Sequence, residues 1–207
     1  MRHGLLLALA LSTFAMADPL DEAQARFEAL QGYQLALRST AADGRVQQMR
    51  YFYRRPGWVR MEMIEPYRGL VLVYDPVAHR ISLWPFGPER WPKLSLAPDS
   101  PLLREHHGHR VDRSDVGTLL ARLRALRARG RLTPLGESPL DGQAATGCEI
   151  AGEAGAGREQ RYRIWFARET MFPIRVQKFG PDGATIEMVE MSEVLTDPAP
   201  PEALFRP

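Results

Sequence analysis

Val46-Gln47-Gln48-Met49-Arg50-Tyr51-Phe52-Tyr53-Arg54-Arg55-Pro56-Gly57-Trp58-Val59-Arg60-Met61-Glu62-Met63-Ile64-Glu65 contains two strands and the turn between them. Val46 to Arg55 is rich in residues that suit a pleated surface, and Pro56-Gly57 punctuates it. From Trp58 to Ile64 the side chains alternate, with Val59, Met61 and Met63 on one side and Arg60 and Glu62 on the other. Met49, Tyr51, Tyr53 and Arg55 share a face by the same period of two, and Met61 and Met63 face the same space. A sheet with one apolar face needs a second layer to cover it.

Reading backwards, Tyr33, Leu35 and Leu37 alternate, and Ala42-Asp43-Gly44 makes the hairpin turn into Val46. Before that strand, Asp18 to Leu30 reads as a helix. Leu20, Ala23, Phe27 and Leu30 lie on one face, Asp21-Glu22 favour the N-terminal dipole, and Gly32 ends it. Reading forwards, Glu65-Pro66 breaks the strand, Gly69 to Tyr74 is almost continuously apolar, Asp75-Pro76 turns the chain and Ile81 to Trp84 returns. Prolines at 85, 88, 92, 98 and 101 predict a long irregular loop over 85–101. Asp112 or Ser114 caps a second helix over Asp115 to Arg129, with Val116, Leu119, Leu120, Leu123 and Leu126 as its apolar face and Gly130 as its stop. Five more strands start near Leu132, Gln143, Gln160, Ile174 and Ala184. The tail from Asp197 is proline-rich, with Leu204-Phe205 as an anchor. The pattern predicts a mainly β (α+β) fold of nine or ten antiparallel strands and two helices. No repeat or linker divides it, so residues 18–207 form one domain.

The first residues are different in kind. Met1-Arg2-His3-Gly4 is basic, Leu5 to Ala15 is an apolar run of about eleven residues, and Ala15-Met16-Ala17 is a small-residue cleavage site. Residues 1–17 therefore read as a secretory signal peptide, since the run is too short to span a bilayer. No cysteine lies near the cleavage site, so the product is expected in the periplasm without a lipid anchor there. The only cysteine, Cys148, excludes a disulfide framework and a cysteine-rich metal site.

With 44% hydrophobic and 25% charged residues the composition is that of a globular protein, which excludes a disordered chain or a multi-pass membrane protein. The 27 Lys and Arg nearly balance the 25 Asp and Glu, which argues against a nucleic-acid partner. Arg122, Arg124, Arg127, Arg129 and Arg131 form a basic run that suits either a solvated helix face or anionic headgroups. His106, His107 and His109 suit either a Zn²⁺ or Cu²⁺ site or a polar loop ahead of the second helix. The loop is favoured, because adjacent histidines diverge and no second ligand set accompanies them. Cys148 reads as a buried small hydrophobe. No nucleophile elbow, phosphate loop, dinucleotide fingerprint or zinc-protease motif occurs, so no catalytic residue, cofactor or metal site is assigned. Two helices over so large a sheet leave either a cavity fit for an apolar ligand or a fully packed core.

The run Arg54 to Glu62, the strand Leu70 to Asp75 and the return Ile81-Ser82-Leu83-Trp84 resemble the pattern of LolA-type lipoprotein carriers. Tyr162 to Ala167, Phe172-Pro173-Ile174-Arg175-Val176, Asp182-Gly183 and Val194-Leu195 agree, so the resemblance spans most of residues 19–205. It implies a curved antiparallel half-barrel covered by two or more helices forming a lid, with an apolar concave cavity. It also implies a monomer carrying the acyl chains of lipoproteins or lipids toward the outer membrane, with an inner-membrane exporter and an outer-membrane acceptor as partners. Arg55, just before the proline, is implied to hold the lid closed. Tyr51, Tyr53, Val59, Met61, Met63, Leu70, Leu72, Leu83, Ile164, Phe166 and Val176 are the expected ligand-facing residues. The missing lipidation cysteine points away from the anchored LolB type, and the length away from a two-domain sensor of the RseB type. The competing reading is a non-catalytic periplasmic structural or regulatory binding protein with a packed core and a protein partner.

Overall fold

The computed structural model describes residues 18–88, 90–103, 110–155 and 157–206. The signal-peptide segment 1–17 and the histidines His106, His107 and His109 lie outside the described residues.

Helix α1 (Pro19–Ala29) starts where local chemistry favours it. The Asp18 carboxylate accepts from the Leu20 amide at 2.9 Å, and Pro19 needs no intrahelical donor. The helix passes through Leu30 into β1 (Gly32–Ala41). Gly32 is there for close approach, since a Cβ would stand 2.6 Å from the Tyr53 carbonyl oxygen. Strands β2 (Val46–Arg54), β3 (Trp58–Glu65), β4 (Val71–Asp75), β5 (Arg80–Trp84) and β6 (Leu94–Leu96) follow as a meander. A segment containing α2 (Val116–Arg127) then crosses to a second meander: β7 (Gly130–Leu140), β8 (Gln143–Ala154), β9 (Arg158–Ala167), β10 (Pro173–Phe179) and β11 (Thr185–Leu195).

The two meanders join into one 11-stranded antiparallel sheet, ordered β6-β5-β4-β3-β2-β1-β11-β10-β9-β8-β7. The seam is β1 against β11, running from Gln34 opposite Leu195 to Ala41 opposite Glu187. Both outer edges resist further pairing. β6 is only three residues long, while β7 carries Pro134 and Pro139 with an irregularity between Pro134 and Gly136.

The curved open sheet with two helices matches the expected half-barrel and lid. Three details differ from the sequence reading. The proline-rich stretch contains β6, which pairs Leu83 with Leu94 and Ile81 with Leu96, so the described residues form eleven strands. Asp115, not Asp112 or Ser114, caps α2, accepting from the Thr118 amide at 3.0 Å. Gly130 does not end α2 with a left-handed turn. It opens β7 opposite Gly152, where a Cβ would overlap the Ala151 carbonyl.

Most of the apolar residues gather on the concave face. Tyr33, Leu35, Tyr51, Met61, Ile81, Ile150, Ile164 and Phe166 belong to one cluster with Leu20, Phe27, Leu120 and Leu123 from the helices. A smaller cluster lies on the convex face, where Phe52, Val71, Val73 and Trp84 are covered by Phe205 of the tail. This explains the continuous apolar run of β4, which is covered on both sides. Arg54 and Arg60 hold the tail by donating to the Pro200 and Leu204 carbonyls at 2.9 and 2.7 Å.

Candidate ligand-binding site

Between the concave face and α2 lies a cavity of about 140 Å³. Leu37, Met49, Tyr51, Met61, Val176 and Met191 line its apolar part, with Leu119 of α2 opposite. Ser39, Gln47, Lys178 and Glu187 of the sheet add polar groups to the lining, and Arg113, Ser114, Asp115 and Arg122 add others on the α2 side. The register puts the four sheet residues on either side of the β1–β2 and β10–β11 turns, so the cavity lining reaches that end of the sheet.

Polar and ionic contacts hold the two helices against the concave face. The Arg55 guanidinium donates to the Leu30, Phe27 and Glu28 carbonyls at 2.7, 3.2 and 2.8 Å. A cation there also opposes the negative end of the α1 dipole. Beneath α1, Phe27 meets Tyr53, while Tyr33 stacks on Tyr51 and Tyr53 at centroid distances of 5.9 and 5.1 Å. The Tyr33 hydroxyl accepts from the Val116 amide at 3.0 Å, at the first turn of α2. Ser114 gives its hydroxyl proton to the Val111 carbonyl, so Tyr51 donates to the Ser114 oxygen. Burial pushes the Tyr33 and Tyr51 phenols well above the usual tyrosine range, which keeps both neutral.

The helices are also tied to each other. Arg124 and Arg127 of α2 pair with Asp21, and Arg127 pairs with Asp18 as well. The hydrogen bond from Arg127 holds the Asp21 carboxyl below its ordinary range. Two members of the basic run are thus interhelical ties, a role that neither sequence reading included. Cys148 is fully buried and burial pushes its thiol up to about 12, so it packs as a hydrophobe. Among the described residues no three His, Cys, Asp or Glu side chains come together to hold a metal ion.

Of the residues expected to face a ligand, Tyr51, Met61 and Val176 line the cavity. Tyr53, Val59, Met63, Leu72, Leu83, Ile164 and Phe166 pack in the concave cluster, with Leu70 partly buried against it. Arg55 stands apart from the cavity, under the end of α1. The lining residues that the sequence left unnamed come mainly from β1, β11 and α2. Both faces of β11 carry apolar residues, Val189 and Met191 on one and Ile186 and Met188 on the other, so alternation could not select a face.

The architecture is the curved antiparallel half-barrel covered by helices that the resemblance implied. No family model and no curated sequence matches the chain. Among solved structures, a chain of the Pseudomonas aeruginosa MucA/MucB complex superposes with a TM-score of 0.57 at 18% identity, over 91% of this chain and 60% of that one. The Mycobacterium tuberculosis lipoprotein LppX gives 0.52 at 14% identity, covering 88% of this chain and 95% of LppX. LprF from Mycobacterium bovis gives 0.53 at 10% identity, covering 88% and 93%. These likenesses establish a shared fold. The chain spans 56–60% of the MucB-complex chains it matches. No helix among the described residues is long and apolar enough to cross a membrane.

Proposed function

We propose that this chain is a periplasmic carrier, with no chemistry of its own, that takes the acyl chain of a lipoprotein or lipid under its helical lid and delivers it toward the outer membrane. The observation that carries this is the apolar cavity beneath α2, closed by contacts that an entering chain must break. A dry cavity of about 150 Å³ accommodates a benzene-sized molecule, so 140 Å³ takes only the end of an acyl chain in the closed form. Uptake therefore requires the lid to move. Each buried methylene contributes about 0.8 kcal/mol, and the cost of opening subtracts from that total. Such a balance suits a protein that must surrender its cargo. The methionines Met49, Met61 and Met191 suit chains of varied shape.

The test is native mass spectrometry of the mature chain, purified without detergent from a Gram-negative periplasm, together with uptake of a fluorescent fatty acid. A lipid or acylated peptide bound near one to one is expected, and Met61→Trp, which fills the cavity, abolishes uptake. A clean apo mass with no uptake by the wild type overturns the proposal.

The packing of seven expected lining residues into the core favours a second reading, a binding protein whose partner is a protein. The MucA-bound state of MucB, a protein of the same fold, is consistent with it. A protein partner captured by an apo chain that ignores fatty acid would decide for this reading.

A further inference from the structure

The end of the sheet that carries the lining residues Ser39, Gln47, Lys178 and Glu187 also carries exposed aromatic side chains. β4 runs away from that end and β5 returns to it, so the β3–β4 turn and the β5–β6 loop lie there together. They touch: a Cβ on Gly87 would stand 3.8 Å from the Gly69 carbonyl oxygen. Tyr67 in the turn is 59% exposed, and Phe86 and Trp91 in the loop are 62% and 89% exposed. Ile64, at the end of β3, is exposed beside them. A groove between turn and loop is lined by Arg50, Arg68, Glu65 and Pro88. Arg68 follows Tyr67 and Arg90 precedes Trp91 in sequence, and neither arginine has an ion pair among the described residues. Glu65 and Glu89 are the opposing charges of these two segments.

We infer that this end of the half-barrel docks on a phospholipid bilayer, with Tyr67, Phe86 and Trp91 in the interfacial layer and Arg50, Arg68 and Arg90 on headgroup phosphates. Large exposed side chains of this kind are costly to leave in water, and tyrosine and tryptophan favour the membrane–water boundary. Arginine pairs with phosphate in a bidentate fork. Docked this way, the end of the cavity lined by Ser39, Gln47, Lys178 and Glu187 faces the lipid, so an acyl chain passes between bilayer and cavity without crossing open water. That last consequence rests on the carrier reading, whereas the docking itself does not.

The test is sedimentation of the full mature chain with vesicles of phosphatidylcholine alone, or of phosphatidylcholine with phosphatidylglycerol. The chain is expected to sediment with the anionic vesicles, and its tryptophan emission to move to the blue. Phe86→Ser with Trp91→Ser removes that shift and weakens partitioning at least about tenfold. Arg68→Gln with Arg90→Gln weakens it about thirtyfold on the anionic vesicles. All four positions are exposed, and unchanged circular dichroism checks that the variants fold. Failure to sediment with either vesicle overturns the inference, as does binding that the aromatic pair of substitutions leaves unmoved. Capture of a purified protein through Trp91 by a chain that ignores vesicles also overturns it. Vesicle binding without fatty-acid uptake keeps the inference and removes the carrier reading.

Discussion

Arg55 makes three hydrogen bonds to carbonyls at the end of α1. These bonds exist only while α1 lies against β2, so they stabilise the closed form alone. Removing them with Arg55→Leu is expected to cost about 1–2 kcal/mol of stability. Because an incoming chain no longer competes with them, lipid binding should be retained or tightened while transfer to acceptor vesicles slows. A transfer assay checks this, and unchanged transfer would count against a latch at Arg55. Tyr33 and Tyr51 hold the start of α2 in their neutral form, and burial raises both pKa values. The sign follows from linkage: the unfolded chain loses these protons near pH 10 while the folded chain retains them. Stability is thus undiminished below about pH 10 and falls as the pH rises above it. Denaturant melts across the alkaline range should locate this loss, and Tyr33→Phe should lessen it.

At the scale of elements, the contact between α1 and α2 sets a test that runs against helix propensity. Gly117 lies in the first turn of α2, and a Cβ there would overlap the Phe27 ring and stand 3.0 Å from the Asp115 carboxylate. Alanine in place of glycine ordinarily favours a helix by about 1 kcal/mol. Gly117→Ala is nevertheless expected to lower the melting temperature, since Phe27 is held between Tyr33 and Tyr53. A rise in Tm would mean that the two helices are loosely seated. The hairpins were legible in the sequence because their turn residues and alternation are local, as at Ala42-Asp43-Gly44 and Gly180-Pro181-Asp182-Gly183. The concave residues of β2 and β3 were legible for the same reason. What stayed hidden depends on contacts between distant segments. The register that pairs Leu94 with Leu83 has no signal among prolines. The partners of Arg124 and Arg127 lie a hundred residues away, at Asp18 and Asp21. Whether Ile164 lines a cavity or fills a core is a matter of where α2 lies, and alternation is the same in both cases.

The whole molecule is a sheet whose concave face lies under the helices and whose convex face is covered in part by the tail, and the two covers have different work. The helices close the concave side, while the tail covers the convex side over β2–β5, placing Phe205 against Trp58 at a centroid distance of 6.2 Å. Phe205→Ala should therefore cost about 3 kcal/mol in denaturant melts and leave fatty-acid affinity unchanged. A loss of affinity matching the loss of stability would mean that the two faces are coupled. The seam between β1 and β11 has a further consequence, for the order in which the chain is made and folds. The first meander can assemble from neighbouring hairpins as soon as its residues are available, yet the outer side of β1 stays unpaired until the last strand is synthesised. Closing that gap over so many residues is slow compared with hairpin formation. Throughout that interval the nascent half presents a raw strand to every other unfinished copy, so the period of greatest risk of aggregation comes before the last strand is in place.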